Sequence, residues 1–216
     1  MKITERDIGL IRRVNAHGFM SVEQIAGFWQ VDFSTAARRV RKLIEAGLLH
    51  RMTMRFLDAR PLVATPAGCN LAGDDIPHVA GIRIGTFRHD ALLPDLGLSL
   101  ERKFSAAFET ERQIKMRIGK APHLPDGILH MPGGRKVAIE LELTQKARHR
   151  LAKIMDFHAA NLEIDAVWYV VLDEAMRAFL LRATTDHPHI KIVKWTPPSN
   201  GIRVAGGIVP QQGIPQ

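Results

Sequence analysis

The sequence contains a single cysteine, Cys69, among 216 residues. One thiol cannot form an intramolecular disulfide, and it excludes a zinc site built from several cysteines. The sequence also lacks an apolar run long enough to cross a membrane, and its first residues do not form a charged-then-apolar leader. These absences predict a cytoplasmic protein with no membrane partner, whose core forms without covalent cross-links.

Acidic residues are few relative to basic ones: 22 Asp and Glu accompany 30 Lys and Arg, which gives a net charge of +8. Such a surplus favours nucleic acid as a partner, because bound Lys and Arg release counterions from the phosphate backbone. The surplus is concentrated between residues 34 and 60, where the acidic residues are Glu45 and Asp58. The basic residues of this segment are Arg38, Arg39, Arg41, Lys42, Arg51, Arg55 and Arg60.

The N-terminal part, residues 1–73, predicts three short helices, a hairpin and a fourth helix. Thr4 and Ser21 each precede a helical pattern, and each has an acid or amide three residues later that can complete a capping box. We expect the third helix to begin at Ser34 and to end at Gly47, where glycine can adopt the left-handed conformation.

The third helix has one apolar face and one basic face. The apolar face carries Phe33, Ala36, Val40 and Leu43. The opposite face and its flanks carry Ser34, Thr35, Arg38, Arg39, Arg41 and Lys42. The hairpin that follows carries Arg51, Arg55 and Arg60. This arrangement is typical of a winged helix-turn-helix, whose recognition helix contacts double-stranded DNA in the major groove. The alternative is a helical bundle whose basic face is merely solvated.

The remainder predicts a second domain. Residues 74–104 combine a linker with a connecting helix, and residues 197–216 form a Pro- and Gly-rich tail that we expect to be flexible. Between them, residues 105–196 predict helix 109–118, strands 127–131 and 136–143, helix 145–161, strand 166–172, helix 174–183 and strand 190–195. Alternating strands and helices indicate an α/β domain, so the expected fold class is α+β with two domains.

Carboxylates are the candidate chemical groups of the second domain. Glu140 and Glu142 share one face of their strand, roughly 7 Å apart. If Asp126 lies beside them, three oxygen donors converge and favour Mg²⁺ or Mn²⁺, with Glu111 as a fourth donor. The alternative is a half-solvated strand, because any such strand alternates apolar and polar residues.

A Pro125-Asp126 pair, a hairpin and the strand Glu140-Leu141-Glu142 resemble the PD-(D/E)XK nuclease superfamily. The resemblance implies that Asp126 and Glu140 bind metal, that Glu111 is the acidic residue of the first helix, and that a lysine follows the second acid by two residues. Glu142 occupies that lysine position, and Lys146 is the nearby substitute. The departure leaves catalysis by Asp126, Glu140, Glu142 and Lys146 open and favours binding over cleavage.

The whole chain resembles the replication-relaxation family of plasmids and mobile elements, which includes MobC-like mobilisation proteins. The resemblance rests on the segments 4–7, 64–68, 88–90, 110–112, 125–127, 140–146 and 167–171, taken in order. It implies sequence-specific duplex binding in origin recognition, replication or relaxosome assembly, with a relaxase or replication initiator as a possible partner. The alternatives are a Mg²⁺-dependent endonuclease aimed by its winged helix and a transcriptional repressor.

A homodimer is also expected, because a single winged helix reads few base pairs. The leucine-bearing segment from Leu92 to Phe104 is the candidate dimer seam. The alternative is that these leucines pack the connecting helix onto its own chain.

Overall fold

The computed structural model describes residues 2–54, 60–119, 121–145, 154–155 and 163–198. In chain order its helices and strands are α1 Glu5–His17, α2 Val22–Trp29, α3 Phe33–Glu45, β1 Leu49–Arg51, β2 Leu62–Ala64, α4 Pro66–Ala72, α5 Phe87–Phe104, β3 Ala107–Thr110, α6 Glu111–Ile118, β4 Gly127–His130, β5 Lys136–Glu142, β6 Ala166–Val171, α7 Glu174–Ala183 and β7 Ile190–Lys194. Short 3₁₀ turns lie at Ile84–Thr86 and Pro132–Gly134. The α+β class expected from the sequence is confirmed.

Local capping starts the first three helices. Thr4 caps α1 and Ser21 caps α2, each in the reciprocal capping box that the sequence predicts. Gln30 then takes the left-handed conformation that ends α2. The expected start of α3 at Ser34 is wrong: Asp32 is the N-cap, because its carboxylate accepts a hydrogen bond from the Thr35 amide at 2.9 Å. One apolar core joins these helices to α4 and to the hairpin.

The hairpin after α3 is antiparallel, with Leu49 opposite Ala64 and Arg51 opposite Leu62. Met20, between α1 and α2, bridges to Leu62, so three segments meet in this small sheet. The tip of the hairpin, residues 55–59, lies outside the described residues, and Arg55 with it. The position of Arg55 therefore stays a prediction.

The second sheet has five strands in the order β3-β4-β5-β6-β7. Strand β4 pairs antiparallel with both β3 and β5. Strands β5, β6 and β7 run parallel to one another. Parallel neighbours need a crossover connection, and α7 supplies the one between β6 and β7. Strands β4 to β7 agree with the expected strands to within one residue.

The two faces of this sheet are both covered. Leu96 and Leu100 of α5 pack on one face against residues such as Ile139 and Leu141. Tyr169, Met155 and Leu180 lie in the cluster on the other face. Covering both faces explains why β6, the sequence Ala-Val-Trp-Tyr-Val-Val, is buried at every position.

Helix α5 also joins the sheet to the N-terminal helices. Arg13 of α1 makes a bidentate ion pair with Glu101 at 2.8 Å for both contacts. Phe19 stacks on Phe87 with ring centroids 5.2 Å apart. The leucines proposed as a dimer seam are used within the chain, because Leu96 and Leu100 are buried and their neighbours pack on the same cluster. That proposed seam is therefore wrong.

The helix expected at 109–118 is preceded by a strand that the sequence analysis missed, and α6 begins at Glu111 because Thr110 and Gln113 form a capping box. The helix expected at 145–161 and the tail fall largely outside the described residues. Within the expected helix, residues 154–155 are described and are helical. Within the described ranges, none of the helices combines the length and apolar character that a membrane crossing requires.

Candidate functional site: basic helix face and carboxylate cluster

The two faces of α3 have opposite roles. Ala36, Val40 and Leu43 are fully buried in the N-terminal core. The opposite face exposes Arg38, Arg41 and Lys42. None of these three side chains forms an ion pair within the part of the chain that the structure describes. Their charges are therefore directed at solvent or at a partner.

Arg39, one residue from Arg38, does not belong to this exposed set. Its Nε donates to Asp7 Oδ1 at 2.8 Å, its Nη2 donates to Asp7 Oδ2, and the same nitrogen donates to the Lys2 carbonyl at 3.0 Å. The Asp7 side chain is only 2% exposed. Burial opposes the charge of Asp7, but the hydrogen bonds from Arg39 and Thr4 outweigh it and lower the pKa of the carboxyl. Arg39 therefore holds α1 to α3, and its predicted contribution to DNA binding stays a prediction.

Ser34 and Thr35 are exposed at the start of α3, but their hydroxyl protons are already used. The Ser34 hydroxyl donates to Asp32 at 2.6 Å and the Thr35 hydroxyl donates to the same carboxylate at 2.7 Å. These bonds, with the Thr35 amide, lower the pKa of Asp32. Each hydroxyl keeps its acceptor lone pairs, so both residues can accept hydrogen bonds from a partner but are not free donors. In the hairpin segment that follows α3, Arg51 and Arg60 are also exposed.

Strand β5 carries the predicted carboxylates, and they are buried. Glu140 is 3% exposed and Glu142 is 4% exposed. Their neighbours Ile139 and Leu141 pack on the α5 face, as the alternation of the strand predicts. The alternative of a half-solvated strand is therefore wrong. Burial of two carboxylates in turn requires partners that offset their lost hydration.

Asp126 lies at the start of β4 and reaches across to β5. Its Oδ2 accepts a hydrogen bond from the Leu141 amide at 2.7 Å. The residue after it must be glycine, because a Cβ on Gly127 would lie 2.2 Å from the ring of Phe108. Burial raises the pKa of Asp126, a hydrogen bond with His89 opposes that rise, and the charge of Glu140 adds to it. The expected approach of Asp126 to the β5 acids is thus present.

Two histidines meet these carboxylates. His89 Nε2 lies 3.1 Å from Asp126 Oδ2, and its Nδ1 lies 3.2 Å from Asp90 Oδ1. Burial alone would lower the pKa of His89, but its bonds with Asp126 and Asp90 outweigh burial and raise the pKa to about 10. His123 Nε2 lies 2.6 Å from Glu140 Oε1. Asp126 and Glu140 therefore each have a histidine ring of the same chain within hydrogen-bonding distance.

Glu111 and Tyr169 complete the electrostatic surroundings. The Glu111 amide donates to the Asp126 carbonyl at 3.2 Å, and burial together with the charges of Asp126 and Asp90 raises the pKa of the Glu111 carboxyl. Tyr169 is paired in register with Glu140 and is fully buried. Its hydroxyl has no hydrogen-bond partner among the described residues. Burial and the nearby carboxylates raise the pKa of this phenol.

The sequence predicts metal binding by Glu111, Asp126 and Glu140, but these side chains do not form a preformed metal site. Among the described residues, no three His, Cys, Asp or Glu side chains are arranged to hold a metal ion. The physical reason is that Asp126 and Glu140 already face His89 and His123. Lys146 lies outside the described residues, so its expected role stays a prediction.

The histidines were the functional-site residues that sequence reasoning missed. His123 stands three residues before Asp126, and His89 begins the pair His89-Asp90 in the connecting helix. Both line a cavity of about 810 Å³ with Asp126, Glu140 and Glu142. A histidine close to an expected acid was the available signal, but spacing along the chain does not reveal that His89 meets Asp126 across 37 residues.

No protein-family model, curated protein or solved structure matches this chain.

Proposed function

We propose that this protein binds double-stranded DNA through its N-terminal winged helix-turn-helix, with α3 as the recognition helix. The observation that carries the proposal is the exposed cationic face of α3, on which Arg38, Arg41 and Lys42 have no partner among the described residues. An unpaired row of cations on a rigid helix suits the major groove, where Arg and Lys donate to guanine edges and phosphates.

The hairpin supports the same proposal. Arg51 is the last residue of β1, Arg60 lies two residues before β2, and both are exposed. In a winged helix the hairpin lies beside the recognition helix, and its basic side chains contact the DNA backbone. Contacts from α3 would then supply base recognition, and contacts from the hairpin would supply orientation.

The second domain serves a different purpose in this proposal. Its acids face inward toward His89 and His123, so they neither repel the DNA backbone strongly nor present free metal-binding oxygens. The domain resembles PD-(D/E)XK nucleases in the order of its motifs, and we assign it to partner docking. The biological setting that the resemblance favours is origin recognition, replication or mobilisation of a plasmid or mobile element, with a relaxase or initiator as the docked partner.

The test is selection of duplexes from a random-sequence pool by the full-length protein, followed by fluorescence anisotropy on the enriched sequence. We expect affinity for the enriched duplex to fall steeply as salt rises, because each phosphate contact releases counterions. Enrichment of no sequence, together with the absence of salt-dependent binding to any duplex, would contradict the proposal.

A further inference from the structure

The segment that precedes α1 is fixed against α3. The Lys2 carbonyl accepts a hydrogen bond of 3.0 Å from Arg39 Nη2, across 37 residues of sequence. Ile3 packs against the N-terminal core, and Thr4 is the N-cap of α1. Three consecutive residues that belong to no helix or strand are therefore each anchored to the fold.

The anchors of this segment leave the Lys2 side chain unused. The bond to Arg39 comes from the Lys2 backbone, and the residue itself is exposed. Lys2 forms no ion pair with any residue that the structure describes. Its backbone is therefore held in place while its positive charge is available to a partner.

Arg39 places this charge at one margin of the exposed face of α3. Residues three or four apart are neighbours on a helix surface, so Arg39 lies beside Lys42, which is one of the exposed cations. Arg39 itself is turned toward Asp7 of α1. Lys2 therefore continues the exposed cations past Arg39, on the side of the helix where Lys42 lies.

The acid at this junction does not cancel the added charge. Asp7 is buried, and Arg39 donates to both of its carboxylate oxygens. The planar fork of the guanidinium lets Arg39 hold this carboxylate and the Lys2 carbonyl together, which the compact ammonium of a lysine is less suited to do. One buried ion pair thus also fixes the position of an exposed cation.

We infer that Lys2 is a further DNA contact beside α3 and that Arg39 is its positioning residue. The Lys2 ammonium contacts a backbone phosphate next to the groove that α3 enters, so it adds affinity and no sequence preference. Arg39 acts through the Lys2 carbonyl, not through its own charge, which is committed to Asp7. The DNA contact rests on the proposed function, whereas the positioning of Lys2 by Arg39 does not.

Nitroxide labels on the full-length protein test the positioning without DNA. In a Cys69→Ala background, one variant carries the label at Lys2→Cys and the matched control carries it at Lys42→Cys. We expect Arg39→Lys to raise the mobility of the label at residue 2 only, because this substitution keeps the charge that faces Asp7 but removes the planar fork. Unchanged mobility at residue 2, or an equal rise at both labels, would overturn the positioning role.

The salt dependence of duplex binding tests the contact. Lys2→Ala should weaken binding several-fold on every sequence and should make the slope of log affinity against log salt shallower by about one, because one phosphate contact is lost. Lys2→Arg should retain both affinity and slope. Lys115→Ala removes an exposed charge of α6, is the matched control and should leave the slope unchanged. A full slope in Lys2→Ala would overturn the contact.

A double-mutant cycle shows whether Arg39 acts through Lys2. We expect Arg39→Lys to lose the same slope as Lys2→Ala, and the combined variant to lose no more than either. Additive losses would show that Arg39 contacts DNA itself and would overturn its positioning role.

Ile3→Gly frees the same segment without any change in α3, and it keeps the test sharp if Arg39→Lys does not fold. We expect this variant to reproduce the loss of slope, because it removes the packing of Ile3 and adds backbone freedom. A full slope in Ile3→Gly would contradict the need for a fixed segment. If the labels respond as expected and even the unmodified protein binds no duplex, the proposed function and the Lys2 contact fail while the positioning stands.

Discussion

The two halves of this molecule use charge in opposite ways. In the N-terminal half, α3 turns Arg38, Arg41 and Lys42 outward. In the second half, the acids of the sheet turn inward, and Asp126 and Glu140 meet His89 and His123 at 3.1 and 2.6 Å. Exposed cations retain their hydration and are available to a polyanion, whereas buried acids need partners that offset the loss of hydration.

The difference shows that the number of charges in a segment says little about its function until their partners are known. Arg38 and Arg39 are adjacent and chemically identical, yet one is free among the described residues and the other is bound to Asp7. The exposed charge is available for binding and the paired charge holds the fold.

The largest effect should come from removing the exposed cations. Replacing Arg38, Arg41 and Lys42 together with Ala should reduce duplex affinity by about a hundredfold or more, because each base or phosphate contact contributes roughly 1–3 kcal/mol. The slope of log affinity against log salt should also become shallower by about two to three. Fluorescence anisotropy across a salt series measures both quantities.

The control for this triple variant removes the same charge from the part of the chain that follows the N-terminal helices and the hairpin. Lys103, Arg135 and Arg182 are exposed there, and their joint replacement with Ala changes net charge equally. This control should alter affinity far less. If both triple variants lose affinity to the same extent, net charge alone governs binding and α3 is not the recognition helix.

The next largest effect concerns Arg39. Its replacement with Ala should lower the free energy of unfolding by roughly 2–4 kcal/mol, because Asp7 would remain buried without its partner. Arg38→Ala is the matched variant and should change stability by no more than about 0.5 kcal/mol, since its side chain is exposed. Urea denaturation of both variants makes the comparison, and equal stability would show that the Asp7 pair contributes nothing.

The same pair gives a pH dependence with a definite sign. The folded-state pKa of Asp7 lies below its usual value of 3.8, so its stabilising contribution is fully present above that pH. The contribution is lost as pH falls below 3.8 through the lower folded-state pKa. Asp7→Asn should therefore flatten this acid limb of the stability profile, and an unchanged slope would contradict the assignment.

A smaller effect of opposite sign is expected at Tyr169. Its hydroxyl is buried, and the described residues offer it no hydrogen-bond partner, so Tyr169→Phe removes a polar group that this part of the chain leaves unsatisfied. We expect the variant to be more stable by about 0.5–1 kcal/mol. A loss of stability in urea denaturation would show instead that the hydroxyl makes a hydrogen bond with the acid cluster.

Local signals explain what the sequence could predict. The capping boxes at Thr4 and Ser21 involve residues three positions apart, and the alternation of β5 needs only its own seven residues. Periodicity placed Glu140 and Glu142 on one face correctly. It could not show that this face is buried, because burial depends on the elements that pack over it.

Partners distant in sequence explain what was missed. Arg39 meets Asp7 across 32 residues and His89 meets Asp126 across 37 residues. A helical wheel assigns Arg39 to a flank of α3 but contains no information about which helix lies beside that flank. Strand β3 was missed for a related reason: its four residues become a strand through pairing with β4.

The smallest effect should come from neutralising the inward acids. Asp126→Asn and Glu140→Gln keep the shape of each side chain and remove its charge. Since each acid faces a histidine of the same chain and lies away from α3, we expect each variant to bind the selected duplex within about twofold of the unmodified protein. Incubation of the protein with supercoiled plasmid and Mg²⁺ or Mn²⁺ is the companion measurement, and we expect no efficient cutting. One reason is that Glu142 places a negative charge where a cation would assist water activation. The other is that His89 and His123 engage carboxylate oxygens that a metal would need. Efficient Mg²⁺-dependent cutting that either substitution abolishes would reverse the contrast between the two halves: the inward acids would then be the reactive site, and the exposed face of α3 would serve to deliver DNA to them.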